Sequence, residues 1–324
     1  MKRKKNLLIL SLVAIVLLGA LLLLNRLNKE EDEEETAEAL TTVYSVNSAD
    51  VTRLSWTTEG VSFSFSRTEE GWTYDGDSSF PVDSELLDDM AYDMSGITST
   101  KFISDVTDLA EYGLAEPVCE ITVTTDEERT FTFGSTTAVD SKQYCSDGST
   151  TVYLVGTGHA TSFGSDLYAY VLEETVPDMS VVRSMTVTTE ERTMKVVYKS
   201  SDADEADWYL DRGSLRTALD SDNAEAWIAT LTAISFDTCV NYNAEDCLAQ
   251  YGLEEPVVIA VVSYTDEDSN GAEFSVELGA GEEGGCYARI TGSNMVYSVD
   301  SDIAVTLLAV TPEDLYPAAD SAEE

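Results

Sequence analysis

The sequence is poor in the residues from which metal centres and nucleophilic active sites are usually built. Its 324 residues include one histidine, His159, and five cysteines, none of them in a Cys-x-x-Cys pair. A zinc site needs several His and Cys ligands at short spacings, so no zinc ligand set is expected. A Ser–His–acid arrangement of His159 with Ser162 is formally open, but no Gly-x-Ser-x-Gly surrounds a serine and the lone His has no partner spacing. His159 is therefore expected in a solvent-facing loop. Positive charge is scarce as well: 18 Lys and Arg face 61 Asp and Glu, a formal net charge of −43. Nucleic-acid affinity comes mainly from basic side chains neutralising phosphates, so no nucleic-acid partner is expected. Apolar residues still make up 43% of the chain, enough for a sizeable core rather than wholesale disorder.

One long apolar run is present. Leu7 to Leu24 is uncharged over eighteen positions, about 27 Å as a helix, close to the thickness of a bilayer's hydrocarbon core. Lys2, Arg3, Lys4 and Lys5 precede it, and the acid run Glu30-Glu31-Asp32-Glu33-Glu34-Glu35 follows. The positive-inside rule then puts the N-terminus in the cytoplasm and the bulk of the chain outside. The run is longer than the core of a usual signal peptide, and Asn25-Arg26-Leu27-Asn28 is a poor cleavage context, so an uncleaved anchor is expected. Segment 1–27 thus reads as basic tip and anchor, and 28–42 as an acidic linker whose like charges repel and extend it.

Self-similarity organises the rest. Leu109-Ala110-Glu111-Tyr112-Gly113-Leu114-Ala115-Glu116-Pro117 recurs as Leu248-Ala249-Gln250-Tyr251-Gly252-Leu253-Glu254-Glu255-Pro256, seven of nine positions being identical at an offset of 139. Trp72 and Trp208 lie upstream in matching contexts, and Gly134, Tyr144 and Tyr153 match Gly279, Tyr287 and Tyr297 downstream. Repeats are expected at 43–175 and 176–316, with an acidic tail at 317–324. In each signature a short helix ends at the tyrosine, and the glycine takes the left-handed position after it. The leucine then folds back as the apolar contact, and the proline stops the helix resuming. Tyr112, Gly113, Leu114, Pro117, Tyr251, Gly252, Leu253 and Pro256 are accordingly structural. On this reading Gly→Val at either glycine is strained, and Gly→Ala costs less.

Alternation predicts strands through Leu54/Trp56, Val61/Phe63/Phe65, Cys119/Ile121/Val123, Met185/Val187 and Met194/Val196. Helical spacing predicts one helix with Leu86, Leu87, Met90 and Met94 on a face. A second carries Ala224, Trp227, Ile228 and Leu231 after a capping-box-like Asp222…Glu225 start. Short closing helices are expected near 160–171 and 301–309. The fold class is α+β: two tandem repeats of mostly antiparallel sheet with short helices, preceded by one transmembrane helix.

At the Tyr-Gly-Leu-x-x-Pro turns, the repeated layout and the N-terminal apolar segment, the chain resembles the bacterial domain-of-unknown-function 4340 family over nearly all of residues 43–316. The resemblance implies no catalytic residues. Some members look like companions of gliding-type ABC exporter components, which implies an accessory envelope role.

Three candidate features remain. Cys119 shares a strand face with Ile121 and Val123 and reads as a buried free thiol. Cys239 and Cys247 are near enough in sequence to bridge, but the first repeat has no counterpart cysteines, so the fold does not need that bond. Asp266, Asp268, Asn270 and Glu277 fit the D-x-[DN]-x-[DN]-G-x5-E calcium loop, yet strand-like segments flank it where an EF-hand has helices. Asn270-Gly271 there reads as a type I′ hairpin turn. With 61 acids, carboxylate pairs carry no information about glycosidase chemistry. The expectation is a non-catalytic, membrane-anchored extracytoplasmic binding or scaffolding module without cofactor. Its partners would be the membrane and another envelope protein, with ABC transporter components as candidates; the alternative is an extracytoplasmic hydrolase using acidic residues, with calcium support as an option.

Overall fold

In the computed structural model, the described residues are 40–318 except 139–140, 180, 200–207, 267, 269 and 282–283. The anchor expected at 7–24, most of the linker and the tail lie outside them. Among the described residues no helix is long and apolar enough to cross a membrane. The first strand already begins at Thr41, inside the expected linker.

The first repeat contributes β1 (Thr41–Ser45), β2 (Arg53–Thr58), β3 (Val61–Thr68), β4 (Gly71–Tyr74), β5 (Gly96–Ser99) and β6 (Lys101–Ile103). β7 (Cys119–Thr124), β8 (Glu128–Thr136), β9 (Lys142–Ser146) and β10 (Val152–Gly156) follow. The second contributes β11 (Val181–Thr188), β12 (Thr193–Tyr198), β13 (Trp208–Asp211), β14 (Arg216–Ala218) and β15 (Thr238–Asn241). It continues through β16 (Val258–Thr265), β17 (Gly271–Ala280), β18 (Cys286–Ile290) and β19 (Val296–Ser298). One sheet runs β4-β3-β2-β7-β8-β9-β10-β6 and the other β14-β13-β12-β11-β16-β17-β18-β19-β15. Apart from the extra edge strand β14, the order is the same, so the duplication seen in the signature extends to the whole topology. The strand pairs are antiparallel, β1–β5 forming a separate ribbon.

Alternation translates directly into burial. Leu54, Trp56, Phe63 and Phe65 are buried, Leu54 pairing with Phe65 and Trp56 with Phe63. The Trp56 ring stacks on Phe65 at 5.3 Å and meets Phe163 edge-on at 5.2 Å. Val61, at the hairpin end of β3, is exposed instead.

Helix α1 (Ser84–Ser95) buries Leu87, Met90 and Met94 with Ala91, while Leu86 is only half-buried. A four-residue helix α2 (Gly158–Thr161) and a separate 3-10 turn (Leu167–Tyr170) replace the single closing helix expected near 160–171. The turn has its own cap, the Asp166 side chain accepting from the Tyr168 N–H. In α3 (Ser221–Thr232), Ala224, Trp227, Ile228 and Leu231 are buried in one cluster with Val258, Ala260 and Val276 of the sheet. Its cap is Asp220, whose Oδ1 accepts from the Asn223 N–H at 3.0 Å, rather than Asp222. A capping carboxylate must precede the first helical residue, and Asp222 already lies inside the helix. Helix α4 (Ser301–Ala309) packs against α3.

The chain divides into two compact units, one extending to Gly76 and including Glu85–Ser165, the other containing Asp77–Ser84 and everything from Asp166. The break falls at 165/166, earlier than the 175/176 suggested by the repeat. Within the second unit, the Phe80 ring lies 5.0 Å from that of Tyr242, whose hydroxyl donates to Asp77 at 2.6 Å. Val82 bridges to Val171, and the Asp83 N–H donates to the Tyr170 carbonyl at 2.9 Å.

Candidate functional site

The signature turns are built alike. The Leu114 N–H donates to the Leu109 carbonyl (3.0 Å) and the Gly113 N–H to Ala110 (3.1 Å); Leu253 and Gly252 repeat this with Leu248 (2.9 Å) and Ala249 (3.0 Å). This is the double hydrogen bond of a Schellman helix end, with Gly113 at φ 71° and Gly252 at φ 66°. Leu114 and Leu253 are buried. Each turn also lies backbone to backbone on the following hairpin. A Cβ on Gly134 would come within 2.3 Å of the Tyr112 carbonyl oxygen, and one on Gly279 within 2.3 Å of that of Tyr251. The Tyr112–Tyr144 and Tyr251–Tyr287 rings meet edge-on at 5.0 and 5.1 Å. The tyrosine, glycine and leucine of each turn thus make the same packing contacts in both repeats.

The repeats differ at a second equivalent place, a cleft of about 480 Å³ in each, between the edge strands and the first long helix. In the first, Trp72 on β4 pairs with Arg67 on β3. The Arg67 guanidinium lies 4.6 Å over the Trp72 ring, forms an ion pair with Asp88, and donates to the Ser48 carbonyl at 3.0 Å. The Trp72 Nε1 donates to the same Asp88 carboxylate at 2.8 Å. In this cleft the protein's own cation, Arg67, therefore occupies the face of the indole and shares the Asp88 carboxylate with it.

In the second, Trp208 on β13 pairs with Tyr198 on β12. Glu225 is the fifth residue of α3, as Asp88 is of α1. The Tyr198 ring meets Trp208 edge-on at 5.4 Å. Trp208 is 4% exposed, and its Nε1 has no hydrogen-bond partner among the described residues. A buried donor without an acceptor costs about 1–3 kcal/mol. Val181 and Tyr198, both lining this cleft, are exposed. Arg183, also lining it, donates from Nε to the Thr265 hydroxyl at 3.0 Å. The tryptophan match is visible in sequence. The exchange of Arg67 for Tyr198 and the role of Asp88 are not, because they join strand to helix.

The other candidates are not brought together as sites. His159 lies on α2, half-buried rather than in a solvent-facing loop, with Nδ1 3.1 Å from the Asp93 carbonyl oxygen. Burial pushes its imidazole below its ordinary pKa despite that hydrogen bond. Its ring nitrogen thus meets a main-chain carbonyl and not the carboxylate of a triad. All five cysteines are free, Cys239 and Cys247 included. Burial pushes the Cys119 and Cys145 thiols up to about 12, and that of Cys239 to about 11, which makes them inert packing groups.

Asp266 closes its own hairpin: its N–H donates to the Asn270 carbonyl at 2.9 Å, and its carboxylate accepts the Asn270 N–H at 2.7 Å. Thr265 pairs with Gly271, so Gly271 belongs to β17, without positive φ, and does not sit in a two-residue Asn270-Gly271 turn. Asp268 is in the hairpin connection, whereas Glu277 pairs with Ile259 further along β17. Six residues of strand put Glu277 about 20 Å from the turn. There it is buried and accepts from Arg289 Nε at 2.6 Å. The extended strand separates what a calcium loop would gather. No group of three or more His, Cys, Asp or Glu able to hold a metal occurs among the described residues.

A family model described as Domain of unknown function (DUF4340) matches residues 72–171 and 208–314, more than half of the chain. No curated protein and no solved structure matches.

Proposed function

From the premise that this chain belongs to the DUF4340 family and carries its domain twice, we propose that it is a non-catalytic, membrane-anchored extracytoplasmic binding module. Residues 7–24 hold it to the membrane with the N-terminus in the cytoplasm, and the second repeat engages another envelope component. The resemblance that links some relatives to gliding-type ABC exporters makes an exporter subunit the first partner to test. One observation carries the binding reading: equivalent clefts in a duplicated fold have diverged. In the first, Arg67 covers the indole and shares its acceptor, and the second keeps a buried indole N–H without an acceptor among the described residues. Tethering supports such a role by raising the local concentration of the module beside a membrane partner.

Complementation of a deletion strain of the parent bacterium tests this. The full chain, His159→Ala and Asp266→Ala/Asp268→Ala should restore the wild-type phenotype. A form in which residues 7–24 are replaced by a cleavable signal should not. If the released form works and a folded His159 or Asp266/Asp268 variant does not, the binding reading gives way to a catalytic or calcium-dependent one.

A further inference from the structure

We propose that the cleft of the second repeat is a receptor for an arginine side chain presented by a partner protein, an inference that rests on the binding-module reading above. The first repeat supplies the template. There a guanidinium lies over a buried indole, its central carbon 4.6 Å from the ring centroid, and one carboxylate oxygen of Asp88 takes both that guanidinium and the indole N–H. The second repeat retains the buried indole, and Glu225 stands at the helix position of Asp88 with one more methylene of reach. The cation at the strand position over the indole is what has gone: Tyr198 takes the place of Arg67 and makes a second aromatic wall, while the Arg183 that also lines the cleft is held on the Thr265 hydroxyl. Glu225 is exposed and has no ion pair among the described residues.

An incoming arginine would restore the missing member. Its planar guanidinium stacks on an aromatic face and presents paired donors to a carboxylate, a combination that a lysine ammonium does not match. Glu225, drawn over the ligand, would then accept the Trp208 N–H as Asp88 accepts that of Trp72. Charge favours the same occupant, since a chain of formal net charge −43 attracts basic segments and repels acidic ones.

The test uses the detergent-solubilised full chain with its four tryptophans replaced biosynthetically by 5-fluorotryptophan. The Trp72 and Trp208 fluorine resonances are assigned through Trp→Phe variants. Titration with acetyl-Gly-Arg-Gly-amide should shift the Trp208 resonance saturably and leave that of Trp72 in place. The citrulline analogue, equal in shape but uncharged, should shift neither. Glu225→Gln should weaken the arginine peptide by about tenfold or more, and Tyr198→Arg should abolish its binding by supplying the cation internally. Equal shifts with the citrulline peptide, or undiminished affinity in Glu225→Gln, overturn the proposal. If no peptide shifts Trp208 while Tyr198→Arg still fails to complement the deletion strain, the arginine assignment falls and the binding-module reading stands. If the Tyr198→Arg chain folds and complements fully, both the cleft and its ligand are wrong.

Discussion

Trp72 and Trp208 hold the same position in two copies of one fold, and their indole nitrogens have opposite circumstances. Trp72 donates to the Asp88 carboxylate, which also pairs with Arg67, at 2.8 Å, whereas Trp208 is buried with no acceptor among the described residues. Trp72→Phe is expected to cost about 1–2 kcal/mol, a charge-assisted bond reduced by the exposure of Asp88. Trp208→Phe loses ring area but removes the unpaired donor, so a change within about 0.5 kcal/mol is expected. Calorimetric unfolding of the two variants decides; a larger loss for Trp208→Phe than for Trp72→Phe would contradict the assignment. The signature glycines give a second contrast. A Cβ on Gly252 would lie 2.3 Å from the Ala280 oxygen and 2.7 Å from its nitrogen, both backbone atoms. Positive φ alone makes valine worse than alanine, but here the first carbon already collides. Gly252→Ala is therefore expected to destabilise by more than about 2 kcal/mol; a melting temperature equal to wild type would mean the turn can lift off the hairpin.

Among the elements, α3 shows how far local pattern reaches. Its apolar spacing places Ala224, Trp227, Ile228 and Leu231 inward, as the sequence predicts. The cap lies two residues earlier than the sequence motif suggests, because Asp220 and not Asp222 has extended backbone and a side chain directed at a free N–H. Asp220→Ala should cost about 1 kcal/mol. Asp222→Ala, which removes only an exposed charge from the first turn, should cost a few tenths. Urea titration separates the two, and equal losses would argue for the later start. The β16–β17 hairpin teaches the same lesson. Its strands follow from alternation, but its connection runs over five residues because the Thr265–Gly271 pairing sets the register.

For the molecule as a whole, the largest single quantity is charge. At −43 the acidic side chains repel one another in the folded state more than in the expanded chain. Screening should relieve this, since the Debye length falls from about 30 Å at 0.01 M salt to about 10 Å at 0.1 M. The full chain in nonionic detergent is expected to melt at a higher temperature as sodium chloride rises over that range. A melting temperature that falls with salt would show that the ion pairs, such as Arg53–Asp75 and Arg289–Glu277, outweigh the net repulsion, and one independent of salt that they offset it. The boundary between compact units also belongs to this scale. It departs from the repeat boundary because Phe80 and Asp77, although part of the first repeat's sequence, lie against Tyr242 in the second unit.

Sequence alone determined the duplication, the α+β class, the buried faces of β2, β7 and α3, and the helix stops at Gly113 and Gly252. These depend on residues a few positions apart, where alternation, helical period and the left-handed freedom of glycine act. Only the tertiary structure decided the strand order, the stacking of each signature turn on Gly134 or Gly279, the separation of Glu277 from Asp266, and the different state of the two clefts. Arg67 meets Asp88, and Tyr198 approaches the helix of Glu225, only after an edge hairpin and a helix have packed together. No one-dimensional period encodes a contact that side chains make across the gap between two elements.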